Sequence, residues 1–163
     1  AQTPEASVLP VGYTLESLEE GGEDALSGIA QVLKNAFQSK NTVEAIVDIL
    51  RNLGKNPYFL PELSVYTRSP EGRIASYCRG TVNPENGIAA IDPVCSHSDF
   101  FRKGLAKATV QECFRRQAQL GGRLSYIGSA PMPAPSTFLY RSLMPRRYTT
   151  TSNFSLPSKE NSK

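Results

Sequence analysis

The chain has 163 residues, 39% hydrophobic and 20% charged, with 12 glycines, 12 prolines and a formal net charge of +3. That length suits one domain with a real core, and no apolar run approaches the ~20 residues needed to span a bilayer. Cys78, Cys95 and Cys113 form no CxxC, and His97 is the single histidine. This argues against a disulfide framework, a zinc site or any metal cluster, and for a reducing, cytoplasmic compartment.

The start, AQTPEASVLPVGY, lacks both the basic and the apolar region of a signal peptide. Charge is unevenly divided along the chain. Residues 1–72 carry 10 acidic and 5 basic side chains, whereas residues 73–163 carry 5 acidic and 13 basic ones. A basic second half suits a polyanion. The cations form no long run and are not interleaved with aromatic residues, so a phosphate-rich small ligand is expected rather than nucleic acid.

In chain order, residues 1–11 read as a flexible lead, residues 12–155 as the folded domain and residues 156–163 as a polar tail. Leu26, Ile29, Ala30, Leu33 and Phe37 fall on one face of a helix spanning residues 25–37. A second helix is predicted over residues 42–53, with Asn41 as a possible N-cap and Gly54 just past its end. NPYFLPE is a loop. LSVYTR, RIASYCRGTV and IAAIDPV read as strands joined by the turns SPEG and NPENG, an antiparallel meander. A helix then runs from the Gly104 stretch to about Leu120 and stops at Gly121-Gly122. Residues 123–128 are a strand, residues 136–143 a short helix, and RRYTTTSNF a last strand. Helices, then a meander, then strand–helix–strand predict an α/β protein with a central mixed, mostly antiparallel sheet flanked by helices.

FRKGLAKATVQECF opens the helix after the meander with two cations beside a glycine. A helix N-terminus has unpaired N–H groups and a partial positive charge, and glycine lets backbone approach a ligand closely. Gly104 and Ala106 supply room there, and Arg102, Lys103 and Lys107 supply charge. The ligand this arrangement suits is a phosphate.

The element order and the run IDPVCSHSDFFRKGLAKATVQECFRRQAQLGGRLSYIGS…FLYRSL resemble the GNAT superfamily of acyl-CoA-dependent N-acetyltransferases. The likeness covers residues 13–154 and is sharpest between Ile88 and Tyr140. The family's pyrophosphate loop reads Gln/Arg-x-x-Gly-x-Gly/Ala. Gly104 and Ala106 match its last two fixed positions, while Phe101 stands at the first. The resemblance implies acetyl-CoA as co-substrate, with its diphosphate at Arg102, Lys103, Gly104, Leu105, Ala106 and Lys107. It places the pantetheine arm along Val94, Cys95 and Ser96.

Acyl transfer to an amine needs a base, a carbonyl-holding donor and an acid for the departing thiolate. Tyr140 stands where many members of the family carry a tyrosine acid. The family's strand glutamate is replaced by Ala89-Ala90, which leaves Asp92, on the face of Ala90, as the candidate base and Glu62 as a weaker one. His97 and Cys95 are expected to be loop and strand residues near the cofactor rather than catalysts. The acceptor is expected to be a small-molecule or peptide amine, and the acidic first half suits a cationic one. A homodimer is possible, whereas nucleic acid, membrane and metal are not expected. Two alternatives stand beside the transferase: a non-catalytic binding protein, and a fold recruited to lyase or cyclase chemistry.

Overall fold

The computed structural model describes residues 8–127 together with Leu139 and Leu143. Strands β1 (Thr14–Ser17), β2 (Ser64–Arg68), β3 (Ile74–Asn83), β4 (Ile88–Ser96) and β5 (Leu124–Ile127) form one sheet in sequence order. Helices α1 (Leu18–Gly21), α2 (Asp24–Phe37) and α3 (Val43–Leu53) connect β1 to β2, and α4 (Leu105–Gln119) connects β4 to β5. Pairing is antiparallel from β1 through β4 and parallel between β4 and β5. The mixed, mostly antiparallel sheet flanked by helices is therefore present.

Each face of the sheet is closed by helices. On one, α2 buries Leu26, Ile29 and Val32, and α3 buries Ile46 and Leu50, together with Tyr66, Ile74, Tyr77 and Cys95 of the sheet. On the other, Val110 and Cys113 of α4 pack with Leu63, Val65, Cys78 and Ile91. A fully buried side chain of this size contributes about 1.5–3 kcal/mol, so burial on both faces fixes where β4 runs. α4 lies close to the sheet because Gly80 admits it: a Cβ there would come 2.5 Å from Cys113 Sγ and 2.9 Å from Gln117 Nε2.

A smaller cluster of Ala75, Phe100 and Leu105 sits under the β4–α4 loop, with Leu9 and Tyr13 packed against it. The Tyr13 and Phe100 rings meet edge to face at 6.4 Å. The lead expected for residues 1–11 thus contributes Leu9 to the support of the loop.

Two features differ from the sequence prediction. β1 and α1 are four residues each, too short to show a period. The cap of α3 is Thr42 and not Asn41: its side chain accepts from the Ala45 N–H at 3.2 Å. Of the predicted helix over residues 136–143, Leu139 is helical and Leu143 lies in a turn, packed against the cluster on the α4 face. Tyr140, the last predicted strand and the polar tail lie outside the described residues.

Candidate functional site

β4 pairs with β3 along its whole length but loses its second neighbour, β5, part-way along, where it also changes face. It pairs with β5 from Ile88↔Leu124 to Ile91↔Ile127, and with β3 at Gly80↔Ile91 and then Cys78↔Val94. Asp92 and Pro93 therefore oppose Arg79 alone, a bulge that resets the alternation of the strand. Ile91 and Val94 both pack on the α4 face, and Cys95 turns to the α2 face. The Asp92–Pro93 peptide is cis.

Beyond the bulge, the orientation of the backbone follows from one hydrogen bond. His97 N–H donates to the Ala75 carbonyl at 2.9 Å. Antiparallel residues alternate between pairs that exchange hydrogen bonds and pairs that do not. With Tyr77↔Cys95 two residues further along the same ladder, Cys95 turns its N–H and C=O toward β3. Val94 and Ser96 turn theirs to the opposite edge, which no strand covers among the described residues. Of the three residues expected to line a pantetheine arm, Val94 and Ser96 have the orientation and Cys95 does not. The Cys95 thiol is also buried, which pushes it up to about 12 and leaves it unreactive.

The strand edge leads to the start of α4. Its N-cap, Gly104, has φ 73°, in the left-handed region that favours glycine, and a Cβ there would meet nothing within 4 Å. Arg102 also has positive φ, at 61°, which is uncommon for a residue with a side chain. Among the described residues no side chain caps α4, and no acidic residue occupies its first turn, so the N–H groups of Leu105, Ala106 and Lys107 have no capping partner there. The Leu105 side chain is buried under the loop, so only its backbone can meet a ligand. Arg102 and Lys103 are exposed and Lys107 is half-buried. Open space, uncapped donors and three cations in one place fit a diphosphate.

The loop is held on the α2 side by a residue the sequence did not single out. Asn35 accepts from the Ser98 N–H at 2.7 Å and donates to Ser98 Oγ at 3.0 Å. His97 Nδ1 accepts from the Asp99 N–H at 3.2 Å, and Asp99 pairs with Arg73 at 2.8 Å. The Arg73 guanidinium holds the Asp99 carboxyl below the usual carboxylate range. A cleft of about 520 Å³ opens beside His97, between the end of α2 and the start of α3.

Asp92, the candidate base, is exposed at the bulge, and no ion pair joins it to Arg79 among the described residues. Glu62 is not part of this site. Its carbonyl accepts from Arg116, and it lines a separate cavity of about 260 Å³ with Arg115 and Gln119 near the far end of α4. At 1.5 Å per residue, Arg116 is about 16 Å along the helix from Leu105. Among the described residues no group of His, Cys, Asp and Glu could hold a metal ion, and no helix is long and apolar enough to cross a membrane.

The sequence matches no family model and no curated protein. Solved structures do match. A GCN5-related N-acetyltransferase from Sphaerobacter thermophilus superposes with TM-score 0.66 at 24% identity over 88% of this chain, which spans 44% of that protein's length. An aminoglycoside acetyltransferase from an uncultured soil metagenomic sample, in complex with trehalose, gives TM-score 0.71 at 17% identity, covering 91% of this chain and 97% of its own. AAC(6')-Iy in complex with the bisubstrate analogue CoA-S-monomethyl-acetylneamine gives TM-score 0.70 at 11% identity, covering 88% and 97%. The chain therefore has the fold of the GCN5-related N-acetyltransferases.

Proposed function

We propose that the protein transfers an acetyl or other acyl group from its coenzyme A thioester to a small-molecule amine. The observation that carries this reading is the continuity of the site. The outward backbone of Val94 and Ser96 runs through a loop pinned by Asn35 to the left-handed Gly104 and the uncapped N-terminus of α4.

Val94 and Ser96 would hold the pantetheine arm as an added strand, with the Val94 N–H as donor to the acyl carbonyl. Arg102, Lys103, Lys107 and the N–H groups of residues 105–107 would hold the diphosphate. Acetyl-CoA supplies an activated acyl group whose C–S bond breaks as the C–N bond to the amine forms. Asp92 is the side chain proposed to take the proton from the amine. Tyr140 is proposed to give one to the leaving sulfur, since a phenol with an ordinary pKa near 10 is matched to a departing thiolate.

A second reading, binding without turnover, is favoured by Phe101, which is 60% exposed where the family carries Arg or Gln. The two readings are separated by measuring acetyl-CoA binding and, in the same preparation, free thiol released across a panel of amines. Binding with amine-dependent thiol release supports transfer. Binding without release from any amine supports the second reading.

A further inference from the structure

The helices on the α2 side of the sheet cover only part of it, packing on Tyr66, Ile74, Tyr77 and Cys95. The first half of β4 and the whole of β5 lie beyond them. Ile91 and Ile127 pack with α4, and Ser125 Oγ bonds Gln117 of the same helix. Alternation along each strand therefore turns Ile88, Ala90, Leu124 and Tyr126 to the α2 side. Ile88 is paired with Leu124 and Ala90 with Tyr126, so the four side chains are neighbours. Ile88, Leu124 and Tyr126 are 46%, 53% and 58% exposed. Large apolar side chains exposed singly are ordinary, whereas three grouped together mark a surface that binds something.

This patch ends at the proposed base. Asp92 follows Ile91 at the bulge, on the face of Ala90 and about 7 Å along the strand from it. β5 accompanies β4 only as far as Ile91, so the strand edge at Val94, proposed to hold the acyl carbonyl, opens directly after Asp92. The pantetheine arm leaves Val94 toward Ser96 and α4. An acceptor then approaches from the other direction, where residues 88–92 lie.

The charge on this face is balanced. Cys78 packs with α4, and a Cβ on Gly80 would meet Cys113 of that helix. Arg79, between them, is therefore turned to the α2 side, opposite the bulge that carries Asp92. One carboxylate with a guanidinium across from it suits a single ammonium and disfavours a polycation.

We infer that the acceptor is a monoamine with an apolar, preferentially aromatic body, its nitrogen at Asp92 and its body lying on Ile88, Ala90, Leu124 and the Tyr126 ring. The inference rests on the acyl-transfer reading and names its substrate class.

The test is thiol release with saturating acetyl-CoA, comparing 2-phenylethylamine and hexylamine with 2-methoxyethylamine and spermidine. The apolar amines should be preferred by about tenfold or more in kcat/KM, the discrimination that small differences in apolar contact give. The Leu124→Ser/Tyr126→Ser double variant should remove that preference. Both side chains are exposed, so the variant should fold, and a ratio between substrates does not depend on the fraction folded. Equal turnover of all four amines, or a preference for spermidine, would overturn the inference and leave acyl transfer standing. So would a preference that survives in the double variant, since the apolar body would then bind elsewhere. A parent that sediments as a dimer beside a monomeric variant would overturn it by making a second copy the occupant of the face. A Tm lowered by several degrees in the variant, with the preference unchanged, would overturn it by assigning the face to residues 128–163. If no amine releases thiol although acetyl-CoA binds, the acyl-transfer reading fails and the acceptor assignment fails with it.

Discussion

Gln117 Nε2 lies 2.8 Å from the Ala90 carbonyl, placing an α4 donor on β4 two residues before the bulge. The same nitrogen reaches the Thr81 carbonyl of β3 at 3.0 Å, and Ser125 Oγ of β5 donates to Gln117 Oε1 at 2.8 Å. One buried carboxamide therefore ties three neighbouring strands to the helix whose first turn forms the proposed diphosphate site.

Gln117→Leu keeps the volume and removes these bonds, leaving Ser125 Oγ without its acceptor. The expected cost is about 1–3 kcal/mol, or a fall in Tm of about 3–10 °C. Thermal denaturation of the two proteins checks it. An unchanged Tm would mean that the polar bridge contributes nothing net.

Asn35→Ala removes both bonds to Ser98 while leaving α2 a good helix former in place. The loop between β4 and α4 should loosen, and the Kd for acetyl-CoA should rise by about tenfold, equivalent to about 1.4 kcal/mol. A calorimetric titration measures it. Tm should fall by less than in Gln117→Leu, because the Asn35–Ser98 contacts are exposed.

Glu16 gives the acid limb of stability a defined origin. Its carboxylate accepts from Arg68 Nε and Nη2 at 2.9 Å and from the Tyr66 hydroxyl at 2.9 Å, and these donors, Arg68 foremost, lower its pKa from 4.5 to about 2. The folded value is depressed, so the contribution is complete above the unfolded pKa and is lost as pH falls from about 4.5 through about 2. Denaturant unfolding across that window should show a stability loss that is smaller in Glu16→Gln. Parallel curves for parent and variant would remove Glu16 from the acid limb.

Tyr140→Phe keeps the ring and removes the proposed acid. Thiol release should fall by roughly 10²–10³ with acetyl-CoA affinity retained. Asp92→Asn should produce a fall of about 10²–10⁴ by removing the proposed base. Turnover unchanged in either variant would remove that residue from the mechanism.

Much of this architecture was legible in the sequence, because its long elements bury one face each. The period of Leu26, Ile29 and Ala30 gives α2, and the turns SPEG and NPENG bound the meander. Gly104 beside two cations marks the start of α4 for a local reason: a left-handed backbone favours glycine. The bulge was legible only in part. Pro93 signals an irregular strand, but the loss of Cys95 from the ligand edge depends on how β4 pairs with β3, which no local pattern encodes. Asn35 and Gln117 were missed because both are polar residues on helices, where periodicity assigns them to solvent. Their partners, Ser98 and Ala90, are 63 and 27 residues away. The charge imbalance likewise counts acids without showing which arginines hold them: Glu16 pairs with Arg68, Glu20 with Arg116 and Glu23 with Arg51.

The central claim, that the β4 edge and the start of α4 bind coenzyme A, is tested most directly by calorimetric titration of acetyl-CoA into the parent protein and Gly104→Glu. The variant puts a carboxylate and a side chain into the open space before α4, on a backbone at φ 73°. The parent should bind with one site per chain and gain about 2.7 kcal/mol of stability at 100 times its Kd. Gly104→Glu, shown by circular dichroism to be folded, should give no measurable heat. Equal binding by parent and variant, or none by the parent, would contradict the assignment.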